Sequence, residues 1–204
     1  MNDLPYEFVL SLIYLNKGTD VSVLLKPNSL VYDSRNLISL TAIENNFDRV
    51  MWFDSDVVFN PDTLQILHKD MDDLNCDIVT GLYFKRYLPT TPVIYREIKE
   101  PQRDASGKLA KQITAYDNYP QNDIFPVAGC GFGCVLTSVK LLKEVWDNFG
   151  PAFNPFPWAS EDISFCYRVN KLGHTIYCDS NVSCGHVGTY TYTEKDYLAQ
   201  KRGD

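Results

Sequence analysis

The chain has 204 residues, of which 45% are hydrophobic and 22% are charged, a composition that allows one domain with a hydrophobic core. Its formal net charge of −7 comes without a basic cluster, which argues against a nucleic-acid backbone as the main partner. No apolar run approaches the roughly 20 residues that span a membrane, and an N-terminus with Asp3 and Glu7 is unlike a secretory signal. We therefore expect a cytoplasmic protein without a membrane span.

The first half of the chain alternates between helical and strand-like segments. The spacing of apolar residues predicts helices over residues 4–15, 34–46 and 61–74. Short apolar runs predict strands over residues 21–26, 49–53 and 76–84. The inner face of the second helix is expected to carry Leu37, Leu40, Ile43 and Phe47. This alternation predicts an α/β fold with a mixed, mainly parallel sheet flanked by helices.

The second half begins with a change of composition. Residues 85–126 are rich in Pro, Tyr and mixed charge, and two alternating stretches with the turn "RDASGK" between them predict a small antiparallel excursion. The chain then returns to the core with "VAGCGFGCVLT". Two further helices are predicted, one after Thr137 or Ser138 and one after Ser160, followed by a last strand, "HTIYCD", and a polar tail.

The most informative stretch is "RVMWFDSD", residues 49–56, in which an apolar run ends in Asp54 and Asp56. Residues two apart in a strand point to the same face, so these carboxylates would repel each other unless a cation lies between them. Mg²⁺ or Mn²⁺ is usually held by one or two carboxylates together with substrate phosphates. The pattern therefore predicts a divalent ion that carries a diphosphate. The alternative is two aspartates in a turn, one of which caps the next helix.

Six cysteines are expected to be free, buried thiols in a chain of this kind. A zinc site is an alternative, although the spacings match no standard zinc pattern. Its ligands would be Cys130, Cys134, Cys184 and His186.

Five short motifs, in their order along the chain, resemble the GT-A glycosyltransferases, close to family 2. They are "SRN" at 34–36, "MWFDSD" at 51–56, "GCGFGCVL" at 129–136, "SED" at 160–162 and "GH" at 185–186. The resemblance covers residues from about 8 to 188 and implies a GT-A (Rossmann-like) fold, a nucleotide-sugar donor that is usually UDP-linked, and Mn²⁺ or Mg²⁺. It also implies one catalytic domain over 1–204, with a nucleotide and metal half at about 4–84, an acceptor-side excursion at 85–126 and the rest of the core at 127–190.

The resemblance also implies a role for each matching residue. The implied metal ligands are Asp54, Asp56 and His186. The implied donor-binding residues are Arg35, Asn36, Asp54, Ser55 and Gly131. In catalysis, Asp162 corresponds to the base of inverting members, and Glu161 is expected to hydrogen-bond a hydroxyl of the acceptor or donor.

Physical chemistry allows a second interpretation of several of these residues. Glu161 and Asp162 also suit the first turn of a helix, where the dipole favours acids and lowers their pKa. An ionised carboxylate still serves as a base when the acceptor hydroxyl becomes acidic late in the reaction. Arg86, with Lys85, either contacts the diphosphate or lies in a solvated turn, and "PFPW" either stacks on a sugar or packs as an aromatic loop.

One departure from the family concerns the start of the chain. Members begin with a strand, whereas nothing in this sequence fills that place, so either the first strand is missing or strand and helix are rearranged. A missing strand would leave a sheet edge exposed. Such an edge predicts a homodimer or strand exchange.

Two other functions fit an Asp-x-Asp motif after an apolar strand. A haloacid-dehalogenase-like phosphatase or phosphotransferase would use Asp54 as the nucleophile, but several elements precede the motif and no later Asp-Asp pair is evident. A non-catalytic nucleotide-sugar-binding module is the other alternative. The sequence favours a metal-dependent, inverting glycosyltransferase with an unidentified acceptor.

Overall fold

The computed structural model describes residues 4–26, 29–103, 106–107, 109–188 and 190–202. Within these residues the helices are α1 (Tyr6–Tyr14), α2 (Val31–Glu44), α3 (Thr63–Leu74), α4 (Val139–Phe149), α5 (Glu161–Lys171) and α6 (Glu194–Arg202). The strands are β1 (Arg49–Phe53), β2 (Val57–Val58), β3 (Ile78–Leu82), β4 (Ile94–Arg103), β5 (Leu109–Ala115), β6 (Ile124–Val127), β7 (Gly129–Cys130), β8 (Cys134–Ser138), β9 (Ile176–Ser183) and β10 (Gly185–His186). None of the helices in this part of the chain has the length and apolar character needed to cross a bilayer.

The central sheet has five strands in the order β1-β8-β3-β9-β6. Strand β8 is antiparallel to both β1 and β3, the pair β3 and β9 is parallel, and β6 is antiparallel to β9. The α/β class is confirmed, but the prediction of a mainly parallel sheet is wrong. Strands β1 and β3, joined through α3, do run in the same direction, as the helix–strand alternation indicates. The later strand β8 is inserted between them, and local periodicity carries no information about that insertion.

The predicted antiparallel excursion is confirmed. Strands β4 and β5 form an antiparallel hairpin, which pairs through β4 with the short strand β7. Residues 104, 105 and 108 of the predicted turn lie outside the described residues. The hairpin extends from the central sheet and packs its β4 strand near α5.

Two apolar clusters lie on opposite faces of the central sheet, as the alternation of side chains along a strand requires. Ile78 of β3 belongs to the cluster that α4 and α5 cover, whereas its neighbour Val79 belongs to the cluster that α1 and α3 cover. The first cluster is built around aromatic rings, with Phe153 stacked on Phe165 at a centroid distance of 4.5 Å. The domain is therefore a sheet between two helical layers, and β1 forms one edge of that sheet.

Helix α2 buries only part of the face that its apolar residues predict. Leu37 is 42% exposed and Phe47, just beyond the helix, is 39% exposed. The buried residues are Arg35, Asn36, Ser39 and Ala42. The prediction for this face holds only in part, since Leu40 is partly buried and Ile43 packs against the core, whereas Leu37 and Phe47 face solvent. Arg35 is buried instead because it pairs with Asp54 at the end of β1, a charge that requires a charged partner.

Two other segments differ from the sequence predictions. Residues 21–26 form no strand in the structure, and the apolar side chains among them are exposed. Conversely, the polar tail contains helix α6, where Thr193 donates its backbone N–H and its hydroxyl to Asp196 at 2.7 Å each. This Thr-x-x-Asp pair is the capping signal that the sequence contained, and α6 is anchored by Tyr197, which is 4% exposed.

The open edge of β1 and a nearby apolar surface predict self-association. Several apolar side chains of the N-terminal part are at least half exposed, namely Tyr6, Ile13, Tyr14, Leu24 and Leu25. We expect a dimer in light scattering coupled to gel filtration, and we expect Leu25→Lys to shift it toward the monomer. Leu88→Lys, which changes a side chain that is 68% exposed elsewhere, should leave the mass unchanged. A wild-type monomer at all concentrations would contradict this prediction.

A buried carboxyl pair predicts a specific pH dependence of stability. Asp70 of α3 and Asp179 of β9 are 6% and 2% exposed, and burial together with Asp179 raises the pKa of Asp70 to about 7. Because this folded-state pKa lies above the ordinary value, the contribution is present at low pH and is lost as pH rises through about 7. We expect the free energy of unfolding to fall by about 2 kcal/mol between about pH 5 and pH 8.

Urea denaturation at several pH values tests this expectation. Asp70→Asn should remove most of the pH dependence of the free energy of unfolding. Asp73→Asn, which changes an exposed residue of the same helix, should retain that pH dependence. An Asp70→Asn protein with the wild-type pH dependence would show that the pair does not share a proton.

Candidate functional site

The Asp-Ser-Asp motif forms a turn at the end of β1. The strand ends at Phe53, and the backbone N–H of Val57 donates to the carbonyl of Asp54 at 3.1 Å. The two aspartates therefore do not line one face of an extended strand, and that expectation is wrong. The turn alternative is correct in this respect, although neither Asp54 nor Asp56 caps the next helix, whose N-cap position is occupied by Asp62. The two carboxylates bind different partners.

Asp54 is bound to the buried guanidinium of Arg35. Nη2 of Arg35 donates to Asp54 at 2.8 Å, and Nη1 donates to Glu161 at 2.9 Å. The guanidinium also lies 5.1 Å from the ring centroid of Phe132. Burial lowers the pKa of Arg35, but the carboxylates of Asp54, Glu161 and Asp162 raise it by more, and the net shift is upward. A permanently charged side chain of α2 thus joins the β1 turn to the start of α5.

Asp56 lies between Arg86 and His186. Its Oδ2 accepts from Nη1 of Arg86 at 2.7 Å, and its Oδ1 lies 3.6 Å from Nε2 of His186. The pairing of β10 with β2 creates this proximity, because His186 lies opposite Val57 and the N–H of Val187 donates to the backbone carbonyl of Asp56 at 2.7 Å. Burial raises the pKa of Asp56, but His186 and Arg86 together hold it below its ordinary value.

The imidazole of His186 is oriented by a backbone carbonyl. Its Nδ1 lies 2.7 Å from the carbonyl oxygen of Phe84, which can only accept, so Nδ1 carries the proton of this hydrogen bond. In the neutral ring the Nε2 lone pair then faces Asp56. Metal-binding histidines are commonly fixed in this way by a carbonyl on the other nitrogen.

The three predicted metal ligands are brought together only in part. Asp56 and His186 are neighbours, whereas Asp54 is engaged by Arg35. Within the part of the chain that the structure describes, no group of three or more His, Cys, Asp and Glu side chains could hold a metal ion. One carboxylate and one imidazole nitrogen nevertheless suit Mn²⁺, and phosphate oxygens usually supply the remaining ligands at such sites. The residues therefore fit a metal that is completed by its ligand.

The first turn of α5 carries the two predicted catalytic acids. Asp162 accepts from the backbone N–H of Ile163 at 2.7 Å and from the hydroxyl of Ser160. Burial and the adjacent Asp162 raise the pKa of Glu161, against the opposing effect of Arg35. The expectation that the helix start lowers the pKa of both acids is therefore wrong for Glu161, because desolvation outweighs the helix dipole.

Two of the predicted donor-binding residues, Asn36 and Gly131, have structural roles on their own, and a third, Ser55, does not. Both polar atoms of the Asn36 side-chain amide are hydrogen-bonded. Its Oδ1 accepts from the N–H of Phe153 at 2.8 Å, and its Nδ2 donates to Oδ1 of Asn154 at 3.0 Å. Ser55 is exposed in the turn. A Cβ at Gly131 would lie 1.9 Å from the hydroxyl oxygen of Tyr83, so close packing alone requires glycine there. Their contact with a donor stays a prediction.

The cysteines behave as free thiols in the interior. Cys130 contacts Cys166, whose Sγ donates to the Cys130 carbonyl at 3.5 Å, while Cys134 and Cys184 lie together in the other apolar cluster. The four residues of the zinc alternative therefore belong to separate contacts. All six cysteines are free, and only Cys76 is partly exposed.

Packing answers one of two open questions about neighbouring segments. The rings of Phe156 and Trp158 stack at a centroid distance of 5.2 Å, and Tyr167 packs edge-on against both. The "PFPW" loop is thus a packed aromatic loop. Arg86 lies in an exposed bend, with its guanidinium bound to Asp56, and its contact with a diphosphate stays a prediction.

Comparison with known proteins supports the fold only. No protein-family model matches the chain, and no curated protein matches it. Among solved structures, the chain is similar to A197 from STIV, with a TM-score of 0.57 and 20% identity over 81% of this chain and 72% of that chain. It also aligns with apo UDP-glucose pyrophosphorylase, with a TM-score of 0.44 and 8% identity over 87% of this chain and 60% of that chain, which is too distant to support an argument. The first similarity shows a shared fold.

The bridge made by Arg35 predicts a large loss of stability when its charge is removed. Arg35→Gln leaves Asp54 and Glu161 without their cation, and the free energy of unfolding should fall by about 3 kcal/mol. Arg49→Gln is the matched control, because its partner Asp72 is largely exposed, and it should cost less than about 1 kcal/mol. Equal losses for the two variants in urea denaturation would refute the structural role of Arg35.

Proposed function

We propose that the protein is a metal-dependent glycosyltransferase that moves a sugar from a nucleoside-diphosphate sugar, best a UDP-sugar, to an acceptor hydroxyl with inversion. The observation that supports it is the placement of Nε2 of His186 at 3.6 Å from Asp56, with Nδ1 fixed by the Phe84 carbonyl. A carboxylate and an imidazole held in this way at the end of a core strand fit a divalent ion that also binds phosphate oxygens.

Asp56 and His186 would hold Mn²⁺ or Mg²⁺, and Asp54 would lie close enough to reach it through water or to contact the nucleotide. Bound there, the ion would stabilise negative charge on the departing diphosphate as a Lewis acid. The hydrogen bond from Arg35 fixes one oxygen of Asp54. Asp54 would therefore either keep this bond and use its other oxygen, or exchange Arg35 for the ion or the nucleotide.

The acids at the start of α5 would act on the acceptor. Asp162 is proposed to take the proton of the acceptor hydroxyl while the hydroxyl oxygen bonds to the anomeric carbon and the bond from that carbon to the diphosphate oxygen breaks. Glu161 would hydrogen-bond a sugar hydroxyl. Arg35 is a positioning residue in this scheme, because it fixes Glu161 and Asp54 relative to each other without contacting the reacting atoms.

The phosphatase alternative has less support from the geometry. Its nucleophile would be the second oxygen of Asp54, because Arg35 engages the first, and a carboxylate whose charge is shared with a guanidinium is a weaker nucleophile. The non-catalytic binding alternative shares the proposed ligand, so turnover rather than binding distinguishes it.

Thermal unfolding with UDP and Mn²⁺ tests the proposal. UDP at about 100 times its dissociation constant should raise the midpoint by several degrees when Mn²⁺ is present, and chelator should remove this effect. Asp56→Asn should abolish the Mn²⁺-dependent part, whereas Asp147→Asn, at a site that is exposed on α4, should retain it.

Stabilisation by UDP that survives in chelator would contradict the metal bridge. Release of UDP from a UDP-sugar would favour the transferase over the binding module. Hydrolysis of an aryl phosphate that depends on Asp54 would favour the phosphatase.

A further inference from the structure

Arg86 occupies the position on Asp56 that a metal ion would need. Its Nη1 lies 2.7 Å from Oδ2 of Asp56, and the same nitrogen lies 3.4 Å from the carbonyl oxygen of Val187. On the other side of the carboxylate, His186 leaves its Nε2 directed toward Oδ1. A divalent ion that binds Asp56 and His186 would compete with the guanidinium for the same carboxylate and would repel it.

The side chain of Arg86 can leave this position at little cost. It is 48% exposed, in contrast to Arg35, whose side chain is 7% exposed and which has two carboxylate partners. Partly exposed ion pairs contribute little to stability, because water replaces the lost contact. The two arginines therefore differ in function: Arg35 is a fixed part of the structure, and Arg86 is an exchangeable partner of Asp56.

The charges around the site indicate what the guanidinium of Arg86 would bind after it leaves Asp56. Three carboxylates, those of Asp54, Glu161 and Asp162, act on Arg35, and Asp56 follows Asp54 by two residues in the same turn. Within the described residues, the guanidinium groups that face them are those of Arg35 and Arg86. An anionic diphosphate would enter a negatively charged site, so it needs the ion and at least one further cation. The planar fork of a guanidinium binds phosphate oxygens in pairs.

We propose that Arg86 is a diphosphate-binding residue that holds Asp56 until a divalent ion takes its place and then binds the diphosphate of the donor. This inference rests on the proposed function, and it adds to the diphosphate contact that the sequence left open for Arg86 an exchange of cations on Asp56. The carboxylate of Asp56 thus exchanges the guanidinium of Arg86 for the divalent ion. The displaced guanidinium remains beside the site and binds the phosphates that accompany the ion.

Two binding measurements test the proposal without an activity assay. Mn²⁺ binding in the absence of nucleotide is followed by the electron paramagnetic resonance signal of the free ion, and UDP binding at saturating Mn²⁺ is followed by calorimetry. Arg86→Gln should tighten Mn²⁺ binding about threefold, because the competing cation is gone. The same variant should weaken UDP binding about tenfold, because the phosphate loses a charged donor.

Lys85→Gln is the matched control. It removes the same charge from the neighbouring residue, whose ammonium lies over the ring of Tyr87 at 5.6 Å rather than on Asp56. It should change neither affinity by more than about twofold. Arg86→Lys, which keeps the charge and loses the fork, should leave Mn²⁺ binding near wild type and weaken UDP binding by an intermediate factor.

The outcomes separate this inference from the proposed function. A wild-type protein that binds no Mn²⁺, or binds UDP equally well without it, overturns both. If the wild type binds both ligands and Arg86→Gln leaves either affinity unchanged or weakens Mn²⁺ binding, the role of Arg86 is refuted and the proposed function stands. Should Arg86→Gln fail to fold by circular dichroism, the side chain is a structural element, which also refutes the exchange.

Discussion

The structure of the site depends on one buried cation. The guanidinium of Arg35 is 6% exposed and joins α2, the turn after β1 and the first turn of α5 through two carboxylates. Without it, the partly buried carboxylates of Asp54 and Glu161 would have no counter-charge, which is unfavourable and more so for Glu161, the less exposed of the two. The buried polar residues of α2 and the aromatic rings beside Arg35 are explained by this requirement. A buried charge needs ion partners, and the space around it must be closely packed.

A second, looser group of charges is arranged around Asp56. Here the carboxylate lies between an exposed guanidinium and an imidazole that a carbonyl orients, and it borders solvent. The contrast between the two aspartates of one motif is the main result of the structure. Asp54 is fixed by the fold, while Asp56 has partners that can be exchanged. A turn rather than an extended strand makes this division possible, since it allows the carboxylates to meet different elements.

Much of the local structure could be predicted from the sequence. Apolar periodicity was sufficient for α1, α3 and β1, and the cap at Ser138 marked the start of α4. The order of strands in the sheet could not be predicted, because the insertion of β8 between β1 and β3 depends on pairing between distant segments. The burial of α2 was predicted only in part for a related reason: Ile43 packs against the core as expected, but Leu37 is apolar and faces solvent, and Arg35 is charged and faces the interior. Residues at the site follow the chemistry of their partners rather than their own hydropathy.

The candidate site residues show the same division. Resemblance of short motifs indicated Asp56 and His186, and the pairing of β2 with β10 brings them together. The two strands pair at only two positions, Gly185 with Val58 and His186 with Val57, and this pairing places His186 beside Asp56. A very long segment of chain must therefore be ordered before the imidazole reaches the carboxylate. A fragment that ends before β10 lacks His186 and therefore lacks this pair of side chains, and closing a loop of this length costs conformational entropy. A ligand that binds both Asp56 and His186 would hold these two distant segments together. Its binding free energy would add to the free energy of unfolding of the whole domain.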